Sequence, residues 1–207
     1  KLLYAQGVKK FVICLGYKGY LIKEYFQNYL LHRSDVTMDF GGGTVRYHNR
    51  RTEDWSVSLI DTGKDTMTGG RLKRVRAYLP DAPFLMTYGD GVADIDINAL
   101  LKFHRSHGKM VTVTAVNPVA RFGEIALEGD RVTSFQEKPQ TGQGWINGGY
   151  FVIEPAFFDL IEGDMTILER EPLERATAMG QRPRSDDTLM ICPVPRALKC
   201  GRMSCMP

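Results

Sequence analysis

No stretch of the 207 residues approaches the roughly 20 consecutive apolar residues that a helix needs to cross a bilayer. No secretory signal opens the chain. Net charge is small: 27 Lys and Arg against 24 Asp and Glu leave +3, which does not argue for a nucleic acid or an anionic membrane as partner. Cysteine is scarce. Cys14 sits alone in the apolar run FVICLG, as a reduced core thiol would. Cys192, Cys200 and Cys205 crowd the last sixteen residues without the short paired spacings of a zinc site. This usage points to a reducing, cytoplasmic setting. Internal repeats and low-complexity segments are absent as well. What remains is an ordinary globular composition, 43% hydrophobic and 25% charged, in a length that suits one domain with a real core.

The chain reads as alternating strands and helices. FVICLG (11–16) is a short continuous apolar run, the signature of a buried strand. Ile22, Tyr25, Phe26, Tyr29 and Leu30 follow at helical spacing within 19–32. Residues 36–61 alternate and turn at Gly41-Gly42-Gly43, which predicts strands joined by an exposed turn. GRLKRVRAYL (70–79) returns to the helical period, and PFLMTYG is the next buried strand. Asp96 is placed to cap a helix over 97–107. MVTVTAV is a strand, GEIALEGDRVTSFQEKP two strands around Gly129-Asp130, and NGGYFVIEP a strand entered through two glycines. Pro155 opens a helix over AFFDLIEG, and 166–180 forms a last amphipathic helix ending at Gly180. The expected architecture is α/β: an open, mostly parallel sheet with helices on both faces and short antiparallel insertions. In such sheets ligands sit beyond the carboxyl ends of the strands.

Asp90 lies at that edge, between Gly89 and Gly91. The glycines let a ligand approach the main chain, and the carboxylate offers hard oxygens suited to Mg²⁺ held together with substrate phosphates. A plain turn of Asp and Gly accounts for the same residues, and on these residues alone both readings stay open. Asp94, Asp96 and Asn98 imitate a calcium loop, but Ala99 and Arg105 stand where glycine and glutamate are required. Asp94-Ile95-Asp96 also matches the Asp-x-Asp with which glycosyltransferases hold a nucleotide-bound metal; a helix cap with a second acid beside it explains the pair equally. Thr66, Thr68, Gly69 and Gly70 lead into a helix bearing Arg71, Lys73 and Arg74, the makings of an anion site or of a solvated basic face. Glu137 can accept sugar hydroxyls, and Lys138 can hold a phosphate as a point charge. Asn147 can donate and accept, and Gly148 lets a ring rest on the main chain. His104 and His107, three apart on a helix, lack a third metal ligand and read as an exposed face. Trp55 and Trp145 read as packing residues.

GYKGYLIKEYF, DTGKDTMTGGRLKRV, TYGDGVADIDI, RFGEIALEGDRVTSFQEKP, INGGYFVIEP and EREPLE together resemble the sugar-1-phosphate nucleotidyltransferases, and within them the cytidylyltransferases that act on glucose 1-phosphate. The resemblance runs over about residues 1–181. It implies a Rossmann-like nucleotidyltransferase fold and transfer of CMP from CTP to α-D-glucose 1-phosphate, giving CDP-glucose and pyrophosphate for deoxysugar and surface-polysaccharide synthesis. Mg²⁺ is the implied cofactor, with Asp90 as a ligand and Gly89 lining the same site. Thr66 and Arg71 would contact the nucleotide. Glu137, Asn147 and Gly148 would hold glucose, Lys138 would hold its phosphate, and Asp90 and Lys138 would carry the catalysis. A homo-oligomer is implied for the complete protein.

The chain departs from that pattern at both ends. It opens on KLLYAQG, which reads as the end of a helix, and the family's Gly-Gly-x-Gly-Thr-Arg loop and following lysine do not occur in it. The expectation is therefore a piece missing at the N-terminus and no turnover by this chain alone. After Gln181 the resemblance fades into RPRSDDTLMICPVPRALKCGRMSCMP, expected to be a divergent, poorly ordered tail (182–207), as a frameshifted gene end would give. Asp187-Thr188-Leu189 only superficially echoes the family's second metal-binding aspartate. Two other readings compete: a nucleotide-sugar glycosyltransferase using Asp94 and Asp96, and a non-catalytic fragment that binds sugar phosphate.

Overall fold

The computed structural model describes residues 1–116, 124–128, 131–136, 146–179 and 189–194; in 124–128, 131–136 and 189–194 it describes the main chain. They divide into two compact units. The first comprises Lys1–Pro80 and Ile161–Pro172, and the second comprises Asp81–Leu160 and the described residues from Leu173 onward.

In the first unit a short helix α1 (Leu2–Ala5) leads through Gly7 to strand β1 (Lys10–Leu15). Strand β4 (Ser56–Asp61) lies parallel to β1, from Lys10 opposite Ser56 to Leu15 opposite Asp61. The single helix expected over 19–32 is two: α2 (Gly19–Gln27) and α3 (Tyr29–His32). They part at Asn28, whose side chain donates back to the Glu24 carbonyl at 3.0 Å, the local competition for backbone partners by which Asn interrupts helices. Strands β2 (Asp35–Asp39) and β3 (Thr44–His48) form an antiparallel hairpin across the triple glycine. Asp39 accepts the Gly41 and Gly42 amides, and Gly43 takes φ +62°, so the turn is held by an Asx bond and a left-handed glycine. Helix α4 (Thr68–Arg74) passes into a 3₁₀ turn, Arg76–Tyr78, before Pro80. Leu15, Leu72, Val75, Ile161 and Leu168 form the buried core of this unit. Trp55 packs among the rings of Tyr4, Phe11 and Tyr29.

The second unit is built on a four-stranded sheet. Its strands are β5 (Phe84–Thr87), β6 (Val111–Val116), β9 (Ile146–Ile153) and β10 (Leu189–Val194), in the order β10-β6-β9-β5. β6 and β10 run parallel, and β9 runs against both β5 and β6. Three of the four strands thus share a direction, as in the mostly parallel sheet expected. Helix α5 (Ile97–His107) starts at the Asp96 cap, whose carboxylate accepts the Ala99 amide at 2.9 Å, and stops at left-handed Gly108. Strands β7 (Glu124–Glu128) and β8 (Arg131–Gln136) form a separate antiparallel pair. Pro155–Leu160 is 3₁₀ rather than α-helical, and the last helix is the shorter α6 (Glu171–Met179). Val111, Phe151, Val152, Ile153 and Phe157 are fully buried, which is why β6 and β9 read as near-continuous apolar runs.

Two further expectations meet a different result. Residues 189–194 lie inside the stretch expected to be a poorly ordered tail, and they form an edge strand. LMICPV offers no turn-former before Pro193, and an edge is where a sheet tolerates proline. The histidine pair is not an exposed face. His104 is 2% exposed, and its ring nitrogens meet Thr112 Oγ1 at 2.8 Å and Glu154 Oε1 at 3.1 Å. His107 Nδ1 accepts the Lys109 amide, which leaves Nε2–H to donate to Thr112 Oγ1. Burial, with the charges of His104 and Lys109 adding to it, pushes His107 below its ordinary value. The pair latches the end of α5 to β6 and to the residue after β9.

Candidate functional site

The turn that follows β5 carries the glycine-flanked aspartate. Asp90 is exposed, and a Cβ built on Gly89 or Gly91 would meet nothing within 4 Å. Neither glycine takes a positive φ, so the space beside them, rather than an unusual backbone, is what their lack of a side chain provides. The turn is held from β9. The buried Tyr150 accepts the Ala93 amide on its hydroxyl at 3.4 Å and donates to the Gly91 carbonyl at 3.3 Å. Tyr88 Oη accepts Asn147 Nδ2 at 3.3 Å, and Asn147 Oδ1 accepts the Gly149 amide at 2.8 Å.

β9 bulges at this point. Val113 faces Phe151 but Ala115 faces Asn147, so one residue of β6, Thr114, spans three of β9. The Thr114 hydroxyl fills the gap, donating to the Tyr150 carbonyl and accepting the Tyr150 amide, both at 3.2 Å. Gly148 is glycine because a Cβ would come within 2.7 Å of Thr114 Oγ1, and Gly149 holds φ +79°. Bulges of this kind re-aim side chains beside sites, and here the bulge sets Asn147 toward the Asp90 turn.

In the first unit the parallel strands β1 and β4 end together, and α4 is built onto their ends. Buried Thr62 bonds the Leu15 carbonyl with both its amide and its hydroxyl, at 2.8 Å each. Arg71 Nη1 reaches the same carbonyl at 3.1 Å and Thr62 Oγ1 at 2.8 Å, while Nη2 donates to the Lys64 carbonyl at 3.0 Å. Thr66 is buried, and Gly63 at φ +87° leaves the room that Thr66 Oγ1 and Arg74 occupy. Arg74 grips Asp164 through both carboxylate oxygens and also holds the Thr62 carbonyl. That hydrogen-bonded pairing lowers Asp164 and raises Arg74 from their ordinary values. The start of α4 is closed by main chain: Met67 N donates to Asp164 O, and Gly69 N to Thr166 O. The Cys14 thiol meets the Arg71 carbonyl at 3.9 Å, and burial pushes it up while Arg71 partly offsets that.

Residues 5–188 match the nucleotidyl transferase family. Over 182 residues the chain is 51% identical to glucose-1-phosphate cytidylyltransferase of Salmonella typhi, covering 87% of this chain and 71% of that protein. It is 38% identical over the same length to a probable glucose-1-phosphate cytidylyltransferase of Bacillus subtilis, with the same coverage. The chain belongs to the nucleotidyl transferase family. The solved structure of HddC from Yersinia pseudotuberculosis is similar at a TM-score of 0.60 and 19% identity, covering 93% of this chain and 72% of that one, a likeness of fold.

Within this nucleotidyl transferase the expected site residues fall into three groups. Gly89, Asp90, Asn147 and Gly148 are brought together on the second unit by β5 and β9. Thr66 and Arg71 stand together on the first unit, where the Arg71 guanidinium braces the ends of β1 and β4. Glu137 and Lys138, like Trp145 and Asp187, lie outside the described residues. Asp96 caps α5 through Oδ1, in keeping with the helix-cap reading of the Asp94-Asp96 pair, and the family match rather than that cap sets the glycosyltransferase alternative aside. No helix among the described residues is long and apolar enough to cross a membrane.

Sequence reasoning missed Tyr88, Tyr150, Thr62 and Asp164. Tyr88 and Tyr150 sit in apolar strand runs, where an aromatic reads as core. Thr62 follows directly on the β4 run, at a strand end where ligand-facing or loop-bracing side chains belong, and that position is the one signal that could have marked it. Asp164 is about ninety residues from Arg74 in sequence, and no local pattern joins them.

Proposed function

We propose that the protein transfers a cytidylyl group from CTP to α-D-glucose 1-phosphate, releasing pyrophosphate and giving CDP-glucose. The observation that carries this reading is the 51% identity to the Salmonella typhi cytidylyltransferase along 87% of the chain. A phosphate oxygen of the sugar phosphate forms a bond to the α-phosphorus of CTP, and the bond from that phosphorus to the bridging oxygen of pyrophosphate breaks. Such a reaction asks the protein for alignment and charge neutralisation rather than for covalent chemistry.

Asp90 fits Mg²⁺: it is an exposed hard-oxygen donor with open space at the glycines on either side. When bound, Mg²⁺ supplies positive charge against the phosphates. In this reading Asn147 and the main chain at Gly148 receive the glucose with Glu137, Lys138 pairs with its phosphate, and Thr66 lies beside the nucleotide. Arg71 contacts the nucleotide as well, with its guanidinium braced against the Leu15 and Lys64 carbonyls and Thr62 Oγ1. A Cβ on Gly16 would fall 2.6 Å from Arg71 Nη1, so a side chain there would displace the guanidinium.

The test is a substrate panel on the full protein with Mg²⁺, crossing CTP, UTP, dTTP and GTP with glucose 1-phosphate and mannose 1-phosphate and following pyrophosphate. CTP with glucose 1-phosphate is expected to give the fastest release. A clear preference for another nucleotide or sugar phosphate would overturn the assignment.

A further inference from the structure

We propose that Tyr88 is a positioning residue for the sugar phosphate, aiming the Asn147 amide from the same strand end that carries Asp90; this rests on reading Asn147 as a sugar contact. Gly149 N–H can only donate, so the atom of Asn147 that meets it must be Oδ1. That fixes the amide's orientation. Nδ2 then presents one hydrogen to the Tyr88 hydroxyl and its second to the exposed side, where a sugar hydroxyl can accept it.

Tyr88 is itself immobilised on β9. Its ring stands edge-on to Phe151, with centroids 5.9 Å apart and planes at 84°. It also closes against Gly149, where a Cβ would lie 3.1 Å from Tyr88 Cδ2. The glycine in its left-handed conformation therefore serves the tyrosine, and the tyrosine serves the asparagine. Because Tyr88 precedes Asp90 by two residues, the hydroxyl that holds the amide and the carboxylate leave the same end of β5. Precision of this sort is what alignment for in-line transfer needs.

Tyr88→Phe removes the hydroxyl and keeps both ring contacts. With glucose 1-phosphate varied at saturating CTP and Mg²⁺, it should raise KM about five- to tenfold, the scale of one hydrogen bond, with kcat within about twofold. If Tyr88 acts through Asn147, the change should vanish in an Asn147→Ala background, so that the double variant matches Asn147→Ala alone. A parental KM in Tyr88→Phe, or additive effects in the double variant, would overturn the proposal. The ligand-free protein gives a second, reaction-independent reading. The Asn147 side-chain NH₂ resonances should move, and their exchange with water should speed several-fold in Tyr88→Phe; an unchanged spectrum would overturn the proposal even if the substrate assignment stands. Should the full protein release no pyrophosphate from CTP and glucose 1-phosphate, the reaction assignment falls while this spectrum still decides the role of Tyr88.

Discussion

Gly69 and Gly70 in the first turn of α4, and Gly89 and Gly91 around Asp90 after β5, are both glycine pairs, and they do opposite things. At Gly70 a Cβ would come within 2.3 Å of the Asp164 carbonyl oxygen and 2.6 Å of its Cα; at Gly69 it would come within 2.9 Å of the Thr166 carbonyl oxygen. At Gly89 and Gly91 it would meet nothing. The first pair is glycine because main chain fills the space, the second because the space stays open. The same contrast runs through the polar groups. Arg71, Arg74, Thr62 and Asp164 are tied to one another and to carbonyls, whereas the Asp90 carboxylate projects into the open. A pair of glycines thus lets main chain pack closely in one place and leaves space open in the other, and the neighbours decide which.

The largest effect that would break the comparison is expected at Gly70. Gly70→Ala drives a methyl into backbone that cannot swing aside, so it should destabilise by about 3 kcal/mol or more. The melting temperature should then fall by on the order of 10 °C. A melt within a degree or two of the parent would show that the Asp164 segment yields, and that the packed reading of this pair is wrong.

A smaller effect sharpens the picture of the first unit. Glu53 accepts from the Tyr29 hydroxyl and pairs with Lys1 at 2.9 Å, and these partners lower it to about 2. Asp54, bonded to Lys9 and to Tyr4, is lowered as well. A carboxylate lowered on folding contributes stability that is fully present above its ordinary value near 4.5 and is lost as pH falls through its folded value. Urea midpoints should therefore decline between about pH 4.5 and pH 2, and Glu53→Gln should flatten that decline. An identical pH slope in parent and variant would contradict the assignment. Because these pairs lie at the surface, the change should be modest.

The smallest effect belongs to the open pair. Gly91→Ala should alter stability by no more than about 0.5 kcal/mol, since neither sterics nor backbone conformation objects. A large loss of melting temperature would mean that the turn is packed in solution.

Much of the scaffold could be read from the residues. Apolar runs located β1, β5, β6 and β9, and Asp96 announced α5. Asp90 was placed at a strand end by pattern alone, because a buried strand running into Gly-Asp-Gly has little else to become. The break at Asn28 and the 3₁₀ turn after Arg74 were not legible, since both depend on local bonds that compete with an intact helical period. The direction of β9 depends on strands about thirty to seventy residues away, and the setting of His104 in part on Glu154, fifty residues away. The roles of Tyr88 and Tyr150 were hidden for a related reason: in an apolar strand a tyrosine ring and its hydroxyl serve different neighbours, and only the ring follows the pattern.

The most direct test is Asp90→Asn, read for both turnover and stability across a Mg²⁺ titration in the full protein with CTP and glucose 1-phosphate. The substitution keeps the shape of an exposed side chain and removes its charge. Turnover should fall at least about a hundredfold at every Mg²⁺ concentration, while the melting temperature stays within about a degree or two of the parent. Near-parental turnover at saturating Mg²⁺, or a collapse in stability alongside lost activity, would contradict the reading of this turn as the open, catalytic edge of the sheet.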